Sequence, residues 1–300
     1  MLPRGRAFLL ALVSACLAAQ TTQNTAEIPK WADVQITTAA SGFRFTEGPA
    51  WSRDGFLLFS DVPNNRIVKL APGKETAIFR ENTNGANGNI FDLLGRLYTC
   101  ESRTRRVIRT LKNGDVEVLA DKWEGKRLNA PNDIVVRRDG HIYFTDPAFG
   151  EQADTRELDF YGVYHIDPKG HMSLIAKPAG RPNGITLTAN GRILYVANSD
   201  EHNVRAYDVD HKGDVSGERV AISGIDGVPD GIRTDVNGNV YVAANGVAIY
   251  NSRGKLLSTI PMPETPANCA FGDPDLQTLY VTARTSVYRV RLNVKGAVQY

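Results

Sequence analysis

Cysteine is scarce in this chain: three in 300 residues, and one of them, Cys16, lies within the first twenty. Cys100 and Cys269 fall in separate strand-like segments, with no Cys-x-x-Cys and no Cys/His spacing of the kind that holds a structural zinc. An oxidising compartment would permit a bridge between them, but two buried free thiols are the expectation. An excess of charge is missing too. The formal net charge is +2, and beyond residue 20, which leaves out Arg4 and Arg6, the chain balances 33 basic against 33 acidic residues. That gives no electrostatic case for nucleic acid or an anionic membrane face. Amphipathic helical periodicity is absent, as are a Gly-x-Ser-x-Gly elbow and a glycine-rich phosphate loop. The five histidines, His141, His165, His171, His202 and His211, sit in strand or outer-turn contexts, which argues against a histidine-dependent hydrolase. The 11 Tyr and 11 Phe fall mostly at strand alternation positions and read as packing, not as a stacking platform for bases.

Long apolar runs are also lacking, apart from Ala7 to Ala19 behind the basic Arg4 and Arg6. A run of about 13 residues is too short to cross a hydrocarbon core of about 30 Å as a helix. It fits a secretory signal peptide over residues 1–20, followed by a polar linker over 21–32. Val13-Ser14-Ala15-Cys16 is also similar to a lipoprotein processing site, in which Cys16 would carry a lipid anchor. A secreted or periplasmic protein is expected, either free or lipid-anchored, with no later membrane-spanning segment.

What the chain does have is a repeated phrase: a Gly or Asn turn, an apolar strand, a polar turn, a second strand. Turn glycines Gly55, Gly95, Gly140, Gly191 and Gly238 are 40, 45, 51 and 47 residues apart. Asp-Gly and Asn-Gly pairs between β-rich runs signal tight hairpins, because glycine tolerates positive φ. A period of 40–50 residues carrying several strands is propeller spacing. Six units predict an all-β, six-bladed β-propeller over residues 33–300, closed by a strand near Val34–Thr37 that completes the last blade. A pair of β-sandwiches would not repeat a strand-pair phrase six times.

Four turns share a further feature. Thr46-Glu47-Gly48-Pro49, Ala130-Pro131-Asn132-Asp133, Arg181-Pro182-Asn183-Gly184 and Val228-Pro229-Asp230-Gly231 each set one carboxylate or amide beside Pro or Gly, just ahead of an apolar segment. Singly, each is a turn former, since Asn and Asp bond their own backbone in turns. Four in phase across separate repeats point to one oxygen-lined site at the end of a central channel. Glu47, Asn132, Asn183 and Asp230 make an oxygen-only donor set that suits one divalent cation. Ca²⁺ is the first expectation, with Mg²⁺, Mn²⁺ and Zn²⁺ as alternatives.

The set Glu47-Gly48-Pro49, Asn129-Ala130-Pro131-Asn132-Asp133, Phe144-Thr145-Asp146-Pro147, Pro182-Asn183-Gly184 and Pro229-Asp230-Gly231 resembles the motifs of the regucalcin/gluconolactonase-like (SMP-30) family, in its bacterial branch. The likeness runs from about Phe43 to Val290. It implies a six-bladed propeller with a divalent metal in the channel and hydrolysis of sugar lactones or related esters. It also implies Glu47, Asn132, Asn183 and Asp230 as metal ligands and Asp230 as the acid/base group. The place where one family branch carries a substrate-binding arginine is Ala130 here, with Arg127 or Asn129 as substitutes. The expected mechanism has the metal polarise the lactone carbonyl while Asp230 or Asp133 takes a proton from water. Asn129, Arg127, Asn87 and Asp146 are the expected substrate contacts. The alternative is a non-catalytic binding propeller with a structural Ca²⁺.

Overall fold

The computed structural model describes Met1 and residues 34–298; the expected signal peptide, the 21–32 linker and Cys16 lie outside the described residues. Six four-stranded antiparallel sheets are arranged as the blades of a propeller, and a short two-stranded ribbon, Lys122–Trp123 with Lys126–Arg127, leads into the third blade. The innermost strands are Thr46–Ser52, Ala86–Phe91, Ile134–Val136, Pro182–Leu187, Ile232–Thr234 and Pro266–Gly272, for blades 1 to 6 in turn. The ring closes where Ile36–Ser41 pairs antiparallel with Ser286–Arg291 as the outer strand of blade 6. The closing strand thus starts two residues later and runs further than the sequence suggested. Among the described residues a 3-10 turn, Gly150–Thr155, interrupts the β structure. Among the described residues no helix is long and apolar enough to cross a membrane.

The turn glycines behave as their dipeptides require. Gly55, Gly95, Gly140, Gly191 and Gly238 all take positive φ, between 64° and 94°, and each links an innermost strand to its neighbour. Blade 6 has no glycine there; Asp273 and Leu276 adopt φ of 64° and 58° instead. Its carboxylate accepts from Tyr280 at 2.7 Å and from the Thr278 hydroxyl. The same device recurs in blades 2 and 5, where Asp92 holds Tyr98 and Asp235 holds Tyr241. A buried phenol therefore finds a partner at the foot of blades 2, 5 and 6, as its desolvated hydroxyl requires.

Apolar side chains fill the wedges between blades. Trp51 of blade 1 stacks on Tyr280 of blade 6 at 5.6 Å, next to buried Leu57, Phe59 and Val287. Cys100 and Cys269 are buried free thiols in blades 2 and 6.

His171, His202 and His211 are exposed, but His141 and His165 are not: they lie 7% and 5% exposed in blade 3, their Nδ1 and Nε2 atoms 2.7 Å apart. Burial, then the neighbouring His141, lowers the His165 pKa to about 4. The pair is neutral in the fold, whereas an unfolded imidazole takes a proton near pH 6.5. Stability is therefore expected to fall as pH drops below about 6.5, by about 2 kcal/mol between pH 7 and 5 for His165. Urea unfolding at both pH values checks this, and His165→Gln should flatten the slope. An equal slope in the variant would mean that other groups carry the acid sensitivity.

Candidate functional site

Each innermost strand enters the channel from the same end, and the residue at its entry occupies the same place in every blade. Glu47, Asn87, Asn132, Asn183, Asp230 and Ala267 form this ring. The phase is set by hydrogen bonds that stitch one strand to the next: Gly88 N donates to Asn132 O at 2.7 Å, Gly184 N to Asp230 O at 3.1 Å, and Gly231 N to Ala267 O at 2.7 Å. The small residue after the ligand position allows this approach. A Cβ on Gly184 would lie 2.4 Å from Asp230 O, and one on Gly231 would lie 2.0 Å from Asn268 Cγ. Gly231→Ala is accordingly expected to cost about 1–3 kcal/mol of stability by overpacking. Thermal melting checks this; an unchanged melting temperature would mean the ring is loosely packed.

Four of the ring positions carry the oxygen donors anticipated from sequence. Glu47 is 3% exposed; its carboxylate accepts from Gly48 N at 2.8 Å and from Asn268 Nδ2 at 3.2 Å. Burial, opposed by the Gly48 amide and reinforced by the charge of Asp133, raises its pKa to about 7. Asp230 keeps part of its surface open at the mouth, and it too is pushed well above the usual carboxylate range by desolvation, then by Glu47 and Asp133. A hydrogen bond from Asn183 and the Arg284 cation work against that rise. Asn183 also donates to Ser199 Oγ at 3.1 Å. Asn132 is buried, and neither its side chain nor that of half-buried Asn87 makes a hydrogen bond among the described residues. Asn87 is thus on the ring itself, in blade 2, with its amide facing no protein partner.

Asp133 does something else. It follows Asn132 where the other blades have glycine or Asn268, and its carboxylate is fully buried within the channel wall. Oδ1 accepts from Ile134 N at 2.9 Å, while Oδ2 accepts from Ile185 N and from Arg233, both at 3.3 Å. It is a strut linking blades 3, 4 and 5, and its oxygens do not face the mouth, contrary to the expectation that it could take a proton from water.

Asn129, Asp146 and Arg127 are also off the ring of entry residues. Asn129 is fully buried, and its amide donates to the carbonyls of Asp146 and Phe160. The Asp146 carboxylate is fully buried and accepts from Asn129 N and Ala130 N, both at 2.8 Å. Arg127 is exposed and ion-paired with Glu157 at 2.5 Å, on the outer ribbon. Asn129 and Asp146 thus hold the loop that precedes Asn132. Arg105, which no sequence signal marks, completes the clamp. It is 5% exposed, has φ of 56°, and donates to Asn129 O at 2.7 Å and Thr155 Oγ1 at 2.5 Å. The loop ahead of Asn132 is thus held by its amides on one side and its carbonyls on the other.

No three His, Cys, Asp or Glu side chains among the described residues cluster closely enough to hold a metal by themselves. A cation at this ring would need amide oxygens as well. The donor chemistry fits one: two carboxylates with pKa values raised first by burial and then by neighbouring carboxylates, beside two neutral amides, one of which has no protein partner among the described residues. Oxygen-only, mixed-charge sets of this kind suit hard divalent ions.

Residues 45–285 match the SMP-30/gluconolactonase/LRE-like region. The chain belongs to that family. It is 32% identical to a gluconolactonase of Zymomonas mobilis, over 87% of this chain and 82% of that protein. It is 26% identical to a pentonolactonase of Haloferax volcanii, over 80% of this chain and 81% of that protein. A solved structure of a gluconolactonase from Xanthomonas campestris superimposes with a TM-score of 0.80 at 32% identity, covering 87% of this chain and 90% of that one. The SMP-30/gluconolactonase fold thus accounts for the repeat, the closure and the ring of entry residues described above.

Proposed function

We propose that this protein hydrolyses sugar lactones or related esters, with one divalent cation held by Glu47, Asn132, Asn183 and Asp230. The observation that carries the reading is the ring itself: four oxygen donors, from blades 1, 3, 4 and 5, at equivalent positions around one channel mouth. The similarity to a gluconolactonase and a pentonolactonase supports the substrate class. Ca²⁺ is the ion the donor set favours. When bound, such an ion supplies Lewis-acid stabilisation of the oxyanion that develops on the lactone carbonyl.

The chain's own residues do the rest. Asp230 faces the mouth with a raised proton affinity, which suits it to take the proton of an attacking water and return it to the ring oxygen that leaves. Asn87 offers a free amide to a substrate hydroxyl from the opposite side. Asp133 and Arg233 keep the wall beneath the ring from collapsing into the channel. The leader read from the sequence would place this reaction outside the cytoplasm.

A pH-stat assay of purified protein against a panel of aldonolactones, with Asp230→Ala as the control, tests the reading. Turnover that requires Asp230 is expected; equal rates in both proteins would overturn it. The non-catalytic alternative draws on the same ring, since a cation there would tie four blades together. It requires Ca²⁺ to raise the melting temperature with no lactone consumed.

A further inference from the structure

Beside Asp230 the channel mouth widens into a cleft of about 290 Å³, between blades 5 and 6. Its walls are Phe45, Val228, Asn245 and Thr265, and it holds one cation, Arg284. Of its lining, only Asp230 has a role in the hydrolysis proposed above. Yet the cleft adjoins a ring carboxylate and is close to the lower size of pockets that take small molecules.

Arg284 is built to stay there. It is the first residue of a two-residue turn joining Thr278–Ala283 to Ser286–Arg291, and its φ is 44°. Its carbonyl accepts from Thr46 N at 2.8 Å, so the turn is fastened to the residue just before Glu47. Glu264 grips the other half of the turn: its carboxylate accepts from Thr285 N at 2.8 Å, from the Thr285 hydroxyl at 3.0 Å and from Tyr288 at 2.8 Å. That carboxylate is therefore engaged with Thr285 and Tyr288. The guanidinium lies 6.0 Å from the centre of the Phe45 ring, and it has no hydrogen-bonded or ion-paired partner among the described residues. Arg284 is exposed, and it is unlike Arg181, Arg127 and Arg233, which pair with Asp200, Glu157 and Asp133.

A guanidinium with five donors, set over an aromatic face and hydrogen-bonded to no carboxylate, though within electrostatic reach of Asp230, matches an anionic oxygen group. Resting on the lactonase reading, we propose that Arg284 is a specificity-determining residue that selects lactones carrying an anionic group, carboxylate or phosphate, at the end remote from the scissile ester. With the ester carbonyl at the ring, the cleft receives the remote end, and Arg284 meets its charge.

The test compares glucono-δ-lactone, a glucarolactone and 6-phosphogluconolactone on the wild type, Arg284→Met and Arg284→Lys. The wild type should prefer an anionic lactone. Arg284→Met should lower the kcat/KM preference for anionic over neutral lactone by about tenfold or more, mainly through KM, with Arg284→Lys recovering part of it. The glucarolactone and phosphogluconolactone arms separate carboxylate from phosphate as the preferred group. Loss of rate on all three lactones in proportion would overturn the proposal and make Arg284 a structural residue. If the wild type hydrolyses none of them, the lactonase reading fails; calorimetric binding of glucarate and 6-phosphogluconate against gluconate then decides the anion site by itself. Binding that is equal for the three acids, or insensitive to Arg284→Met, would end it.

Discussion

Asp230→Asn is expected to lower lactone turnover by about 10³-fold, and thorough chelation of the wild type should do the same. The carboxylamide keeps the shape of the side chain, so the innermost strand of blade 5 should still form. What changes is charge: the variant ring presents one carboxylate, Glu47, in place of two, and loses the group best placed to accept a proton. Adding Ca²⁺ back to the chelated wild type should restore the rate. Differential scanning calorimetry gives a second readout. At a Ca²⁺ concentration 100-fold above Kd, binding to the folded state alone stabilises by about 2.7 kcal/mol. For a chain of this size that corresponds to a rise of roughly 4–5 °C in Tm. The rise should shrink in Asp230→Asn and in Glu47→Gln. Full activity after exhaustive chelation would remove the cation from the mechanism, whatever the calorimetry shows.

Asp133→Ala should do the most harm to stability, not to chemistry. Its carboxylate has no exposed surface, and Arg233 beside it has a side chain only 12% exposed. Removing one partner of a buried, hydrogen-bonded ion pair leaves the other charge without compensation, at a cost of about 3–5 kcal/mol. The loss here also orphans the amides of Ile134 and Ile185. Urea unfolding should show the drop, and Arg233→Met combined with Asp133→Ala should recover part of it, because the double change removes both charges. A stable Asp133→Ala protein with abolished turnover would reverse the assignment and make Asp133 a catalytic group after all.

The contrast between Asp133 and Asp230 marks how far the chain could be read in one dimension. Both are aspartates next to a turn proline or asparagine, both precede an apolar strand, and their local sequences give the same expectation. A shift of one residue separates them. Asp230 occupies the ring position, and Asp133 occupies the next one, where side chains turn into the wall between strands. Asn129 and Asp146 were drawn toward the site by their neighbours in sequence, yet they are the backbone clamp behind it. Arg105 and Arg284 carried no signal. Each is an arginine in a polar turn, and its importance arises from what lies opposite in the neighbouring blade: the Asn129 carbonyl in one case, the Asp230 cleft in the other.

The sequence alone determined the architecture and the ring, because both are written as period. A blade cannot bury its faces by itself, so the same strand phrase must recur, with glycine where the backbone needs positive φ and a small residue where neighbouring strands meet at the axis. Roles within the site were decided only by tertiary structure. Whether a carboxylate is open to the mouth, paired inside the wall or bound to backbone amides depends on partners dozens of residues distant, and no local spacing encodes that distance.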